Sequence, residues 1–361
     1  IFMPSGRDRS SGFYKPLELF YSRRIGKRLP DGSDVPLQLG AKAFGRLADW
    51  EYGGFLAMTG EKDYMVDGTK ATEPKAYFGS VRLKRQILDN SSIGLLFVGK
   101  HTPNNDDGVL DIDGAFRGSD WQLSYQLARS FNNQQGGLAA STGLLMFKDD
   151  LILGIRSKYI EEDFDADQVG YVPWKGTGGC TVFGGPRWYF KDGYVRQILI
   201  YSGFSLNHKK IESYVDHMGV LGYNMQFRDN WGFEVTFVAG RSKDRGVKYD
   251  SYEFDFSNWY NVSPKWYGNV GGSLEKTYNF SRNYLAYYSS TWSEIGWHAT
   301  RVLDVGTMLN VFVEGNPDNK IEDITYNARP FVSVTPLNDL NVRIYLDNVY
   351  VRSTKQVQQM I

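Results

Sequence analysis

The sequence predicts an all-β protein, a transmembrane antiparallel up-and-down β-barrel of about 18 strands, with a range of about 16–20. Apolar and polar residues alternate in blocks from about residue 37 to the end, and Gly, Asn and Asp separate the blocks. Many blocks have about eleven to fifteen residues, against about 5–6 for strands of globular proteins. Almost no helical pattern lies between them.

The alternation gives each predicted strand one apolar and one polar face, because successive side chains of a strand point to opposite sides. In the block from Trp121 to Leu127, Trp and Leu alternate with Gln and Ser. Several polar faces carry large charged residues, whereas several apolar faces include Gly and Ala. This contrast favours a barrel whose apolar face contacts lipid. A soluble all-β protein with its apolar face inward is the alternative.

The predicted strands follow one another with few interruptions. They cover 37–47, 52–58, 77–84, 93–99, 110–117, 121–127, 138–147, 150–160, 180–191, 194–206, 212–227, 231–241, 249–257, 264–275, 284–298, 302–313, 325–335 and 340–351. Some connections are tight, such as 148–150 and 228–230, and others are long and polar, at 60–74, 161–178 and 314–324. Short turns on one rim and long loops on the other are typical of outer-membrane barrels.

Composition limits the function classes. The formal net charge is +0, from 41 basic and 41 acidic residues, which argues against nucleic acid as a partner. Aromatic residues make up 15% of the chain, and Tyr and Trp favour bilayer interfaces. No apolar run is long enough for a transmembrane helix. The single cysteine and the scattered histidines indicate no metal site, no covalently bound haem and no other cofactor.

The first 35 residues form a separate region. Residues 1–35 contain a basic run between Arg23 and Arg28 and little alternation, whereas the barrel is predicted for 36–361. The segment is either a linker or a plug folded into the barrel lumen. In the second case, Arg23 and Arg24 are the candidates for pairing with acidic residues of the lumen.

Charged residues on the polar faces of the predicted strands are the candidates for lining the lumen. They are Lys42, Arg46, Arg82, Lys84, Asp111, Asp113, Arg117 and Arg343. The loop 161–178 carries a group of five acidic residues between Glu161 and Asp167, for which a solvated loop is the favoured interpretation over acid–base catalysis. No catalytic arrangement is found, and an enzyme is not predicted.

Aromatic residues cluster near the predicted strand ends. The clusters are Trp188–Phe190, Trp259–Tyr260, Trp266–Tyr267, Tyr287–Tyr288, Trp292 and Trp297. A girdle at the membrane interface is the leading interpretation. A platform on which sugars stack and ordinary packing are the alternatives.

Five sequence blocks in a fixed order carry a resemblance. They are residues 19–26 (Leu-Phe-Tyr-Ser-Arg-Arg-Ile-Gly), 40–42, 77–85, 163–165 and 170–172. With these blocks the chain resembles the barrel half of a family of bacterial outer-membrane proteins of unassigned function. In that family a periplasmic, carbohydrate-binding-like β-sandwich precedes a C-terminal barrel. The resemblance implies an outer-membrane barrel, and it carries no sugar-binding role onto these residues.

The sequence leaves two functions open. The first is a channel or transport component of the bacterial outer membrane, with the lipid bilayer as its surroundings. The alternative is a plugged structural anchor that holds a binding domain or a partner complex at that membrane. The chain stops at Val357–Ile361 without the terminal aromatic residue that such barrels tend to have. We therefore expect a fragment that lacks at least one closing strand pair.

Overall fold

The computed structural model describes residues 14–132, 136–261, 263–337 and 340–360. Residues 1–13 of the predicted leading segment and Ile361 of the predicted incomplete end lie outside this range. A 3-10 turn covers Ser22–Arg24, and no helix among the described residues is long and apolar enough to span a membrane. The strands are β1 (Leu37–Leu47), β2 (Trp50–Thr59), β3 (Lys62–Val66), β4 (Thr69–Glu73), β5 (Ala76–Ile87), β6 (Ser91–His101), β7 (Asp106–Arg117), β8 (Trp121–Asn132), β9 (Leu138–Phe147), β10 (Leu151–Ile160), β11 (Thr177–Tyr189), β12 (Val195–Lys209), β13 (Tyr214–Phe227), β14 (Trp231–Asp244), β15 (Val247–Tyr260), β16 (Trp266–Asn279), β17 (Tyr284–His298), β18 (Leu303–Gly315), β19 (Ile321–Leu337), β20 (Leu340–Tyr345), β21 (Asp347–Val351) and β22 (Gln356–Met360).

Twenty of these strands belong to one sheet, and β3 and β4 form a separate hairpin. The sheet is antiparallel and up-and-down: β1 pairs with β2, β2 with β5, and β5 to β9 pair in sequence. The same order holds from β13 to β19. The predicted all-β, antiparallel up-and-down arrangement is confirmed at this level.

The sheet has twenty strands, the upper end of the predicted range of 16–20, for two reasons. The predicted block 340–351 is divided at Leu346 into β20 and β21, which both pair with β19. The strand β22 was not predicted, and it pairs with β21. Both additions lie at the C-terminal end of the described chain.

Two of the three predicted long loops contain more strand structure than predicted. Most of 60–74 is the β3–β4 hairpin, whose two-residue turn places Asp67 and Gly68 at φ +48° and +80°. Positive φ at both central residues is the conformation that a tight hairpin turn requires, and Asp-Gly is a favoured pair for it. The predicted loop 314–324 shrinks to 316–320, because β18 and β19 extend toward each other. The loop 161–178 is observed as 161–176.

The chain divides into two compact units. The first contains the described residues up to Lys148, with Leu153–Val182 and Leu206–Tyr214. The second contains Asp149–Ile152, Phe183–Ser205 and the described residues from Val215 onward.

One face of the sheet in the first unit is covered by two chain segments. We call Tyr14–Val35 the inner segment and residues 161–176 the inner loop. Their apolar side chains form a core with the strand residues beneath them. This core contains Leu17, Leu19, Phe164, Ala166, Val169 and Val172 from the two segments and Leu96, Val98, Val109, Ala128, Ala139 and Ile160 from β6 to β10.

The inner segment and the inner loop are in direct backbone contact. Tyr171 N donates to Glu18 O at 2.7 Å, and Tyr21 N donates to Val169 O at 2.9 Å. A Cβ atom on Gly170 would lie 2.6 Å from Glu18 O, so a side chain at this position would strike the backbone of the inner segment. The two segments therefore cover the sheet as one packed layer.

The two ends of the strands in the first unit differ in their connections. At one end the connections are short, with 48–49, 88–90 and 118–120 between consecutive strands. At the other end, two connections are much longer, at 60–75 and 161–176. We call these the short-turn end and the long-loop end. The inner segment leads into β1 at the long-loop end, where Gly60 N donates to Pro36 O at 2.9 Å.

The second unit consists mainly of long strands with one exposed apolar face. In β15, Tyr252, Phe254 and Phe256 are exposed, whereas Glu253 and Asp255 between them are half-buried. Polar side chains of the opposite face form hydrogen bonds with one another. Tyr201 donates its hydroxyl to Glu234 at 2.7 Å, and Asn224 donates to the same carboxylate at 3.0 Å.

Candidate functional site on the covered face of the first unit

The centre of the covered face is a buried ion pair between Arg82 and Asp113. Arg82 is 1% exposed and Asp113 is 0% exposed. The guanidinium contacts both carboxylate oxygens, with Nη2 donating to Oδ1 at 2.9 Å and Nη1 donating to Oδ2. A bidentate, charge-assisted contact of this kind holds both side chains in a fixed orientation.

The ion pair spans a strand, because Arg82 lies on β5 and Asp113 on β7, with β6 between them. Gly94 of β6 lies directly opposite Asp113 in the strand register. A Cβ atom at position 94 would lie 2.7 Å from Arg82 Nη2 and 2.8 Å from Nη1. The absence of a side chain at Gly94 therefore gives the guanidinium a path across β6.

Asp111 connects the charged centre to the inner segment. It lies two positions before Asp113 on the same face of β7 and accepts a hydrogen bond from Gln126 Nε2 at 3.2 Å. The carbonyl oxygen of the Gln126 side chain accepts the backbone N–H of Leu17 at 2.7 Å. Nearby, Ser141 donates its hydroxyl to Lys15 O at 3.0 Å. The polar side chains of the sheet thus satisfy the backbone of the inner segment.

Tyr14 begins the described part of the inner segment and packs on Gly143 of β9. A Cβ atom at Gly143 would lie 2.9 Å from the Tyr14 ring. Burial, together with the nearby Asp113 and Asp111 carboxylates, raises the pKa of the Tyr14 phenol well above its usual value, although the neighbouring Ser141 hydroxyl acts in the opposite direction. The phenol is therefore a neutral group at physiological pH.

A second charged cluster joins four parts of the first unit near the long-loop end. Glu73, at the end of the β3–β4 hairpin, accepts Lys27 Nζ at 3.0 Å and Lys100 Nζ at 3.5 Å. Lys100 also donates to Gln168 of the inner loop at 2.9 Å. One carboxylate therefore links the inner segment, the hairpin, β6 and, through Lys100, the inner loop.

The acidic residues of the inner loop hold the loop in place. Lys175 lies 3.0 Å from both Asp165 Oδ1 and Asp167 Oδ2. Burial alone would lower the pKa of Lys175, but the bonds to the two carboxylates outweigh it and raise the pKa. Glu161 accepts Leu138 N at 2.6 Å. These three carboxylates bind a lysine ammonium or a backbone amide. Their contacts stabilise the fold of the loop.

The two predicted plug residues lie in the 3-10 turn of the inner segment. Arg24 Nε donates to the backbone oxygen of Gly170 at 3.0 Å. The Arg23 guanidinium lies 5.9 Å from the centre of the Tyr21 ring. Within the same basic run, Lys27 has an acidic partner, Glu73, at 3.0 Å.

The structure brings three of the eight predicted lumen-facing residues together. Arg82, Asp111 and Asp113 come together in the buried network, and the other five lie elsewhere. Lys42 and Arg46 are exposed on β1, and Arg46 donates to Gln86 at 3.2 Å. Lys84 forms an ion pair with Glu51 at 3.4 Å, and Arg117 donates to Gln122 at 2.9 Å. Arg343, in the second unit, lies 3.8 Å from Glu294.

Several residues of the site were not identified from the sequence. Gln126 was recognised only as a polar-face residue, and Glu73 and Lys100 lie on segments far apart in the chain. Gly94 offered a signal, since glycine weakens a strand and often marks the close approach of another group. Within the described residues, no group of three or more His, Cys, Asp or Glu side chains could hold a metal ion.

Comparison with known proteins adds no family assignment for the chain. No protein-family model matches it, and no curated protein matches it. The resemblance described from the five sequence blocks therefore stays a prediction.

Proposed function

We propose that the chain forms a β-barrel of the bacterial outer membrane, and that its inner segment and inner loop plug the lumen, so that it serves as a plugged anchor. The supporting observation is the distribution of polarity across the sheet. Val81 is 52% exposed and Ile112 is 49% exposed, whereas the neighbouring Arg82 and Asp113 are buried. Water-soluble proteins bury apolar side chains, and a lipid-facing sheet exposes them.

Aromatic residues at strand ends support the membrane location. Trp188 and Tyr189 end β11, Trp259 and Tyr260 end β15, and Trp266 with Tyr267 begin β16. Such residues are enriched where a membrane meets water. Trp292 departs from the pattern, since it lies in the middle of β17 with its ring over Gly271.

Barrel closure is part of the proposal. The strand pairs described above run from β1 to β9 and from β13 to β22. Ten of the eleven residues of β1 are exposed, including apolar Leu37, Leu39 and Leu47. A closed sheet would satisfy the strand edges, which lipid cannot do by hydrogen bonding.

The plug is supported by the way the inner segment is held. Its backbone bonds to Gln126 and Ser141 of the sheet and to the inner loop, and its side chains Leu17 and Leu19 are buried. A linker without a defined place would show no such set of buried contacts. In this proposal the polar face beneath is a binding surface for the chain's own inner segment.

A channel is the second candidate, and the acidic face of the second unit favours it. Glu253 and Glu275 face each other across the β15–β16 pair, and Asp255 lies on the same side as Glu253. All three side chains are half-buried. The covered face of the first unit is packed against the inner segment and the inner loop. A water-filled pore lined by the acidic face of the second unit would conduct cations in preference to anions.

Conductance of the purified chain in a planar bilayer separates the two functions. We expect a silent bilayer for the full chain and stable conductance steps for a variant lacking residues 1–34, because the deletion removes nearly all of the inner segment and leaves only the inner loop to cover the sheet. The double substitution Arg23→Ala, Arg24→Ala should have a weaker effect, since these side chains make few of the contacts. Equal conductance of the full chain and the deletion variant would reject the plug and favour the channel.

A further inference from the structure

A cavity of about 500 Å³ lies in the first unit where the inner segment, β10 and the inner loop meet. It is lined by residues 14–18, Lys158, Ile160 and 171–174. This volume lies within the usual range of small-molecule sites, which is about 300–1,000 Å³. Most of the lining is apolar or aromatic, with a small number of charged groups.

The lining of the cavity has a net positive charge, because it contains Lys15 and Lys158 but only one acidic residue, Glu18. Lys158 lies on the covered face of β10 and is half-buried, and the charges of Arg156, Lys15 and Glu18 act on its ammonium. In the part of the chain that the structure describes, Lys158 and Lys15 form no ion pair within 4.0 Å, and Glu18 reaches neither of them. A half-buried ammonium without a direct ion-pair partner among the described residues is a favourable place for an anion.

The aromatic groups lie on the loop side of the cavity. Trp174 is 66% exposed and Tyr171 is 51% exposed, although four apolar residues of the same loop are buried. Exposed aromatic side chains at the entrance of a pocket provide surfaces on which an aromatic ring of a ligand can stack. The Lys158 ammonium lies on β10 and the two aromatic rings lie on the inner loop. A ligand with an acidic group and a ring would contact both elements.

We propose that this cavity binds a small organic anion that carries a ring. Its acidic group contacts Lys158 and Lys15, and its ring packs on Trp174 and Tyr171. The ligand would bridge the inner segment and the inner loop. This site lies within the first unit and requires neither barrel closure nor an open pore.

The test uses phenyl phosphate as the probe and the full chain in detergent or lipid. We expect saturable binding by calorimetry, with a change in Trp fluorescence that is absent in Trp174→Phe. Inorganic phosphate and phenol should each bind more weakly, because each offers only half of the ligand. Lys158→Gln should weaken phenyl phosphate binding about tenfold, the usual effect of losing one charged hydrogen bond.

Two further variants keep the test decisive. Lys158→Arg retains the charge and should restore most of the affinity, which a mere folding defect at this position would not allow. Lys276→Gln removes a lysine whose ammonium lies 5.4 Å from the Tyr287 ring in the second unit, and binding should not change. Equal affinity in the full chain and in Lys158→Gln, phenol binding as tightly as phenyl phosphate, or no binding of phenyl phosphate would each overturn the proposal.

Discussion

At the scale of single residues, the buried Arg82–Asp113 pair is the most consequential contact. Removing one partner of a buried ion pair leaves the other charge buried without compensation. Replacing both partners by apolar residues of similar size avoids this penalty. The pair therefore makes the two side chains interdependent.

We predict that Asp113→Asn lowers the free energy of unfolding by about 3 kcal/mol, because the buried Arg82 then loses the carboxylate that contacts both of its terminal nitrogens. The double variant Arg82→Met, Asp113→Leu should lose much less. Urea unfolding in lipid vesicles measures both. As a control, Lys84→Met removes a partly exposed pair with Glu51 and should cost less than about 1 kcal/mol. A double variant as unstable as Asp113→Asn would contradict this account.

Gly94 gives a second prediction at this scale. Gly94→Ala should destabilise the protein by about as much as Asp113→Asn, roughly 3 kcal/mol, because the added Cβ displaces the guanidinium and breaks the ion pair. Gly40→Ala is the matched control, since a Cβ at Gly40 of β1 meets nothing within 4 Å. The same unfolding experiment compares them. Similar stabilities of the two alanine variants would show that Gly94 does not provide the path.

At the scale of elements, the inner segment is held to the sheet by a small number of polar contacts. Gln126 bonds both the Leu17 amide and Asp111, so it is the main polar link between β8 and the segment. The second cluster, around Glu73, fixes the segment near the long-loop end. Between these points, Leu17 and Leu19 supply the apolar contacts.

We predict that Gln126→Leu speeds hydrogen exchange of the Leu17 amide by about tenfold, because the amide loses its buried acceptor. The readout is exchange followed by mass spectrometry of the segment. Gln122→Leu is the control, since Gln122 is buried on the same face of β8 but bonds Arg117 and Ser124. If both variants exchanged alike, Gln126 would not be the link.

The sequence allowed strand positions to be predicted, because a period of two is a local signal. The division at Leu346 and the strand β22 were missed, and so was the β3–β4 hairpin despite its Asp67-Gly68 turn. In the site, Arg82, Asp111 and Asp113 were recognised as polar-face residues. Their pairing was not, since it depends on a side chain crossing β6 at Gly94. The place of the inner segment depends equally on contacts between distant parts of the chain.

At the scale of the whole molecule, the central claim is that the apolar face of the sheet contacts lipid. The exposed Phe254 and Phe256 and the half-buried Glu253 and Asp255 alternate along β15, so neighbouring positions of one strand test opposite surroundings. The polar side chains of this strand are half-buried, whereas Arg82 and Asp113 on the covered face of the first unit are fully buried. The single Cys180 can be removed to give a background without cysteine.

The most direct measurement is the accessibility of spin labels placed one at a time along β15 in lipid vesicles. Labels are attached to cysteines introduced at Ser251 through Phe256 in a Cys180→Ser background. We predict that positions 252, 254 and 256 are accessible to oxygen dissolved in lipid, and that 251, 253 and 255 are accessible to a water-soluble nickel chelate. Chelate access at 252, 254 and 256 would contradict the account, because the apolar face would then lie in water.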